Sequence, residues 1–162
     1  MASSTPTTSQ PTFASGVYKL KNVATGTLLD LWNGETNEGT IIQEPELNTS
    51  PIANANAHID IDLQWHVEWT GTANQLTLRN FKSGTYFGAG PSGVQNGSAP
   101  LGSATAVPVV LVVADKGYAI EPVADRGVVL DLQTNSSANR VPAVYRTNTA
   151  TDTQKWVFVK AD

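Results

Sequence analysis

Two aspartates stand at the same position of two similar segments and are the first candidates for chemistry. Asp30 ends the segment YKLKNVATGTLLD, and Asp131 ends YAIEPVADRGVVLD. A carboxylate can accept hydrogen bonds from two hydroxyl groups of one ligand, so such positions suit the binding of a polyhydroxylated molecule. An aspartate in a loop also commonly caps a turn by accepting from nearby backbone N–H groups. For both residues this alternative stays open.

Residue types used in catalysis occur without the spacing that catalysis requires. His58 and His66 lie near acidic residues, but no standard element brings these side chains to one face. The pair Glu44 and Glu46 offers two carboxyl groups, as glycoside hydrolysis needs, yet nothing in the sequence marks the pair as buried. No GxSxG nucleophile motif is present. We therefore predict a protein that is not an enzyme, with no catalytic residue, metal site or cofactor.

Composition narrows the classes of partner. The net charge is −4, and the 10 lysines and arginines form no basic cluster, so nucleic acid is not expected as a partner. The absence of cysteine excludes a disulfide framework and a thiolate zinc site, and it fits a reducing compartment. Residues 1–15 are rich in Ser, Thr and Pro and lack the features of a secretory signal, which predicts a flexible tail. No apolar run approaches the roughly 20 residues needed to cross a bilayer. We expect a cytoplasmic protein without membrane insertion.

The element that must position the aspartates is a motif present in three copies. The copies are YKLKNVATGTLLD at 18–30, LTLRNFKSGTYFG at 76–88 and YAIEPVADRGVVLD at 118–131. Alternation of apolar and polar residues predicts a strand, a glycine-containing turn and a second strand in each copy. The glycines are expected to supply positive φ; they are Gly26, Gly84 and Gly127. Further strands are predicted at 39–44, 64–69, 99–103, 107–113, 141–146 and 155–160, which gives ten to twelve strands and no helix.

The copies divide residues 16–162 into units of about 16–73, 74–115 and 116–162, within a single domain. No unit can bury its own apolar face, so the three should close into a small barrel with a shared core. The first and third units end with an aromatic strand, whereas the second ends with AVPVVLVV. The predicted core comprises Leu20, Leu29, Leu31, Ile42, Trp65, Leu78, Phe87, Leu101, Ile120, Leu130, Leu132, Val144 and Trp156.

Three features carry a resemblance to a known family: the repeat itself, the Gln-x-Trp at 154–156, and Asp-Leu at 30–31 and 131–132. Over residues 16–160 the chain resembles the ricin-B-type β-trefoil lectins, in particular the small cytoplasmic lectins of mushrooms and other fungi. The resemblance implies an all-β fold, a β-trefoil of three pseudo-symmetric repeats with about 12 short strands. It also implies non-catalytic binding of galactose, lactose or N-acetylgalactosamine.

In the third unit the family pattern implies a complete carbohydrate-binding site. It assigns Asp131 as hydroxyl acceptor, Tyr145 as stacking platform, Asn148 as amide partner and Gln154 as the brace of the pocket. These residue types suit a pyranose, which offers hydroxyls that donate and accept and one C–H-rich face that packs on an aromatic ring.

In the first unit the same pattern implies an altered site. It contains Asp30 and, as the amide, Asn48, but the aromatic position falls at Glu44-Pro45 and Leu63 replaces the glutamine of Gln-x-Trp. Trp32 could supply a ring from the neighbouring strand.

The second unit is expected to have no such site, because Gly88 replaces the aspartate. Tyr86 and Phe87 remain as aromatic candidates for glycan contact there. Trp65 and Trp156 are assigned to the core rather than to ligand binding.

These inferences predict a lectin for galactosyl or N-acetylgalactosaminyl glycans, with defence against feeding animals as the use that the resemblance implies. A homodimer is expected, because one shallow sugar site binds weakly and two sites add avidity. The alternative is a β-trefoil protease inhibitor that acts through the polar loops 49–62 and 88–98.

Overall fold

The described part of the chain folds into short strands with almost no helix. The computed structural model describes residues 14–31, 40–43, 64–72, 74–89, 93–133 and 142–161. One 3-10 turn, Asp152–Gln154, is the helical element among them. The described residues form twelve strands, within the ten to twelve expected from the sequence. They are β1 (Gly16–Asn22), β2 (Asp30–Leu31), β3 (Thr40–Gln43), β4 (Trp65–Trp69), β5 (Gln75–Asn80), β6 (Tyr86–Ala89), β7 (Pro100–Ser103), β8 (Val109–Val113), β9 (Tyr118–Pro122), β10 (Val128–Leu132), β11 (Ala143–Thr147) and β12 (Trp156–Lys160).

Six of these strands close into an antiparallel barrel. Strand β1 pairs with β4, β4 with β5, β5 with β8, β8 with β9, and β9 with β12. Strand β12 then returns to pair with β1, from Tyr18 opposite Lys160 to Asn22 opposite Trp156. Closure gives every barrel strand two partners, which removes the exposed edges through which sheets aggregate.

The other six strands form three hairpins, β2–β3, β6–β7 and β10–β11. In these hairpins Asp30 lies opposite Gln43, Gly88 opposite Leu101, and Asp131 opposite Val144. The paired positions are equally far apart along the chain in all three. The register therefore places Asp30, Gly88 and Asp131 at equivalent points.

Three equivalent backbone hydrogen bonds join each unit to the one before it in the ring. The N–H groups of Val23, Phe81 and Val123 donate to the carbonyls of Lys155, Gln64 and Pro108, each at 2.9 Å. Each acceptor residue directly precedes a strand of the barrel. The repetition seen in the sequence thus has a counterpart in the hydrogen bonding.

The turns after the first strands follow the prediction in two copies. Asn22 and Asn80 each accept two backbone N–H groups through Oδ1, and Gly26 and Gly84 have φ of 73° and 74°. In the third copy the expectation of positive φ at Gly127 is wrong. Pro122 replaces the asparagine there, and a different turn forms in which Asp125 Oδ1 accepts from the Gly127 N–H at 2.9 Å.

One apolar cluster fills the barrel, and Trp65 and Trp156 are at its centre with 0% and 1% exposure. Each indole N–H donates to the carbonyl of the residue directly before an aspartate. Trp65 donates to Leu29 at 3.0 Å, and Trp156 donates to Leu130 at 3.1 Å. The predicted core residues that belong to the cluster are Leu20, Leu29, Ile42, Trp65, Leu78, Phe87, Ile120, Leu130, Leu132 and Trp156.

One core assignment is wrong, and another cannot be judged. Leu101 is partly exposed, because it pairs with Gly88 and so lies on the face of its hairpin opposite Phe87. Val144 is buried, as predicted, although it lies outside the central cluster. The side chain of Leu31 lies outside the described residues. Sequence reasoning missed eight members: Tyr18, Val67, Leu76, Val109, Leu111, Val128, Ala143 and Tyr145.

Candidate functional site

Asp131 occupies a buried position on the hairpin β10–β11. Its side chain is 4% exposed. Oδ1 accepts from the Leu132 N–H at 2.7 Å, and Oδ2 accepts from Gln154 Nε2 at 3.1 Å. Each carboxylate oxygen has two lone pairs, so both keep the capacity to accept one more hydrogen bond. The carboxylate is therefore held in one orientation and still able to receive a ligand hydroxyl.

Gln154 joins this carboxylate to the segment that follows β11. The 3-10 turn Asp152–Gln154 carries it inward, and its side chain is 2% exposed. Besides Asp131, Nε2 donates to the Thr147 carbonyl at 3.0 Å, and Oε1 accepts from the Thr149 N–H at 2.9 Å. The structure thus brings Asp131 and Gln154 together, as the sequence predicted.

Asn148 lies in the segment that Gln154 holds. Its side chain is exposed, and its Oδ1 accepts from the Ala150 N–H at 2.9 Å, which supports the positive φ of 58° at Ala150. Its NH2 group makes no hydrogen bond with the described part of the chain. Asn148 can therefore donate to a ligand while its oxygen shapes the loop.

The assignment of Tyr145 as a stacking platform is wrong. Its side chain is 0% exposed and packs edge-to-face on Phe87, with ring centroids 6.2 Å apart. Tyr145 pairs with Leu130, whereas Asp131 pairs with Val144. Because side chains alternate between the two faces of a strand, the ring points away from the carboxylate. Burial also raises the pKa of the Tyr145 hydroxyl far above its ordinary range.

The face of Asp131 carries Val144 and, diagonally across the strand pair, Arg146, which is exposed. Sequence reasoning placed Val144 in the core and missed Arg146. Side chains on one face of a strand recur at every second residue. Because Val144 lies opposite Asp131, this rule would have placed Arg146 on the same face.

We predict that Tyr145→Phe leaves the free energy of unfolding unchanged or raises it by about 1 kcal/mol, because the buried hydroxyl has no hydrogen-bond partner among the described residues. Tyr145→Ala should cost about 3–5 kcal/mol through the cavity it leaves. Urea unfolding of both variants measures these differences. A loss of more than 1 kcal/mol in Tyr145→Phe would show that the hydroxyl has a stabilising partner.

The equivalent site in the first unit is only partly described. Asp30 lies in β2 opposite Gln43, at the register of Asp131. The side chain of Asp30 and the whole of Trp32, Glu44 and Asn48 lie outside the described residues. Their assignment to carbohydrate binding stays a prediction.

The second unit has no room for a carboxylate at the equivalent point. A Cβ atom on Gly88 would lie 2.5 Å from Ser103 Cβ and 2.9 Å from the Thr105 carbonyl oxygen. Phe87 is 0% exposed, so its assignment as a candidate glycan contact is wrong. Tyr86 is half-buried, and the Arg79 guanidinium lies over its ring, 5.6 Å from the centroid.

A loop of the second unit is bound to the hairpin of the third. The Gly97 N–H donates to the Tyr145 carbonyl at 2.7 Å, and the Tyr145 N–H donates to the Ser98 carbonyl at 2.8 Å. Asn96 Oδ1 also accepts from the Thr147 N–H at 3.1 Å. Residues 96–98 therefore lie along β11 instead of protruding, which counts against loop 88–98 as an inhibitory surface. Loop 49–62 lies outside the described residues.

A buried ammonium stabilises the turn that carries Gln154. Lys155 Nζ contacts Asp115 Oδ1 at 2.7 Å and Asp152 Oδ1 at 3.0 Å. Hydrogen bonding to this ammonium lowers the pKa of both carboxyl groups and raises that of Lys155. The contact ties the β8–β9 turn to the 3-10 turn.

Within the described residues, no group of three or more His, Cys, Asp or Glu side chains could hold a metal ion. His58, for which the sequence shows no metal-binding spacing, lies outside them. No helix in the same part of the chain is long and apolar enough to span a bilayer.

Comparison with solved structures gives both a fold and a family. The Rhizoctonia solani agglutinin is 45% identical to the chain, with a TM-score of 0.81, 94% of this chain covered and 100% of the agglutinin. The Macrolepiota procera ricin B-like lectin, solved in complex with lactose, is 20% identical, with a TM-score of 0.73 and coverage of 94% and 100%. The C-half of the earthworm R-type lectin, in complex with GalNAc, is 14% identical, with a TM-score of 0.62 and coverage of 90% and 98%.

The two more distant structures show the fold alone. Comparisons with protein-family models and with curated proteins give no match. Barrel, hairpins and these neighbours define the class as an all-β lectin. Identity to the agglutinin over nearly the whole chain shows that the protein belongs to the fungal ricin-B-like lectins.

Proposed function

We propose that this lectin binds galactose- and N-acetylgalactosamine-type glycans without catalysis, through the hairpin β10–β11 of a β-trefoil. The observation that carries the proposal is the buried Asp131 carboxylate, held by Gln154 Nε2 at 3.1 Å and by the Leu132 N–H. Six barrel strands and three hairpins in register support the architecture.

The geometry explains how a sugar is recognised. Two hydroxyls on one edge of a pyranose donate to the fixed carboxylate, and the Asn148 NH2 group donates to a neighbouring oxygen. Because Gln154 holds both Asp131 and the backbone next to Asn148, little side-chain entropy is lost on binding. A sugar whose hydroxyl points the wrong way displaces water from the carboxylate without replacing its hydrogen bond, which costs about 1–3 kcal/mol and gives discrimination. The neighbours that contain lactose and GalNAc support the galactose-type preference.

A glycan array and lactose-agarose, with release by free sugar, test the proposal. We expect Asp131→Ala to lower glycan affinity tenfold or more, about 1.4 kcal/mol, and the isosteric Asp131→Asn to lower it in the same direction. Asp30→Ala tests the first unit in parallel. Asp125→Ala is the matched control, because this carboxylate of the same unit caps a turn at Gly127 and nothing more among the described contacts.

Unchanged glycan affinity in Asp131→Ala would contradict binding through the hairpin β10–β11, and unchanged affinity in Asp30→Ala as well would contradict both assigned pockets, provided that circular dichroism shows the variants folded. Inhibition of papain or trypsin by a protein that binds no sugar would favour the protease-inhibitor alternative. Cytoplasmic location and homodimer formation stay proposals, as does the defensive role that the resemblance implies.

A further inference from the structure

An open cleft of about 520 Å³ lies on the barrel wall where the first and second units meet. Its volume falls within the range of about 300–1,000 Å³ that is usual for small-molecule sites. Gly88, the position equivalent to Asp131, does not line it, so the cleft is separate from the hairpin sites. The lining residues are Glu68, Trp69, Thr70, Thr77, Tyr86, Ala104, Thr105 and Ala106.

Polar groups of the cleft are placed by the register of two barrel strands. Glu68 on β4 lies directly opposite Thr77 on β5, so carboxylate and hydroxyl stand side by side on the outward face. Glu68 is exposed, and no described side chain pairs with its carboxylate. Thr105 adds a further hydroxyl from the segment that precedes β8. Together these groups offer acceptors and donors at short spacing.

Two aromatic side chains border the same space, and both are held in place. The Arg79 guanidinium lies over the Tyr86 ring, and Arg79 Nε also donates to the Gly84 carbonyl at 2.9 Å. Trp69 is partly buried against the core, and this packing restricts its ring. Rings that are fixed before binding present a packing surface at low entropic cost.

This chemistry points to one class of ligand. Hydroxyls and a carboxylate next to aromatic rings fit a molecule that carries several hydroxyls and C–H-rich faces. The lining carries the negative charge of Glu68, and the Arg79 guanidinium over Tyr86 places a positive charge at its border, so the cleft has no strong preference for a charged ligand.

We infer that the cleft is a second saccharide site, for a neutral sugar, in the unit that lacks the aspartate. The choice of ligand class rests on the proposed function. Two differently built sites on one chain would let a single molecule bridge two glycan branches, which raises avidity without a dimer.

Amide chemical shifts test the inference on the full-length 15N-labelled protein, titrated separately with lactose and with N-acetylgalactosamine. We expect the Glu68, Thr77 and Thr105 amides to shift in the parent and equally in Asp131→Ala. The cleft shifts should fall at least fivefold in Tyr86→Ala and in Glu68→Gln. Glu121→Gln is the matched control, because that carboxylate on β9 is paired with Arg126 at 2.7 Å, outside the cleft.

The outcomes separate the two claims. Shifts confined to residues around Asp131 and Gln154 overturn the cleft site and leave the proposed function standing. Shifts confined to the cleft leave the inference standing and overturn the hairpin site. No shift at either place with both sugars up to 100-fold molar excess overturns the cleft site, and the glycan array then decides the proposed function independently.

Discussion

Gly88→Asp does not restore a third hairpin site and instead destabilises the protein by at least about 3 kcal/mol. The backbone at Gly88 has ordinary φ, so the cost comes from packing rather than from strain. Any Cβ there meets Ser103 Cβ at 2.5 Å and the Thr105 carbonyl oxygen at 2.9 Å. A carboxylate forced into that space would also lose water without the amide brace that Asp131 has in Gln154. Urea unfolding and the glycan array measure the two effects.

Ser103→Gly provides the control for this prediction. It removes the nearest atoms, so the double variant Gly88→Ala with Ser103→Gly should be more stable than the sum of the two single changes predicts. Gly88→Ala alone should cost about 1–3 kcal/mol. A Gly88→Asp protein of parental stability that binds sugar at this hairpin would contradict the steric account.

Gly117→Ala is expected to cost about 2–5 kcal/mol, as the sum of two independent effects. Gly117 closes the β8–β9 turn with φ of 60°, a conformation that costs an L-residue about 1–2 kcal/mol. Its Cβ would also lie 2.3 Å from the Trp156 carbonyl oxygen, and backbone cannot rotate away as a side chain can. The change should appear as a lower urea midpoint with an unchanged m-value.

Gly93→Ala isolates the conformational part of that cost. Gly93 has φ of 70°, and nothing lies within 4 Å of its hypothetical Cβ. It should therefore cost no more than about 1–2 kcal/mol. Equal losses at Gly93 and Gly117 would show that the contact with Trp156 relaxes freely.

Much of the fold follows from the sequence, because the repeat sets strand positions and phase together. The phase of the repeat singled out Asp131, and the family resemblance added Gln154, which the structure joins to it at 3.1 Å. Tyr145 was misplaced because spacing along the chain does not say which face of β11 a side chain occupies, and a shift of one residue reverses it. The prediction that Leu101 belongs to the core was wrong for the same reason.

Other features depend on tertiary contacts that no local pattern contains. The closeness of Ser103 and Thr105 to Gly88 is set by how the second hairpin packs. The cleft at Glu68 and Tyr86 needs β4, β5 and β6 to be side by side. The different turn at Gly127 was signalled by Pro122, which replaces the asparagine of the other copies.

Ring closure between β1 and β12 also affects biosynthesis. During translation, β1 lacks its second neighbour until β12 leaves the ribosome, so the barrel cannot be completed before then. Pairings so distant in sequence make folding slow, on the order of milliseconds to seconds. Until then the open ribbon exposes apolar strands that neighbouring nascent chains can capture. Removing Trp156–Lys160 should consequently yield insoluble protein rather than a smaller lectin.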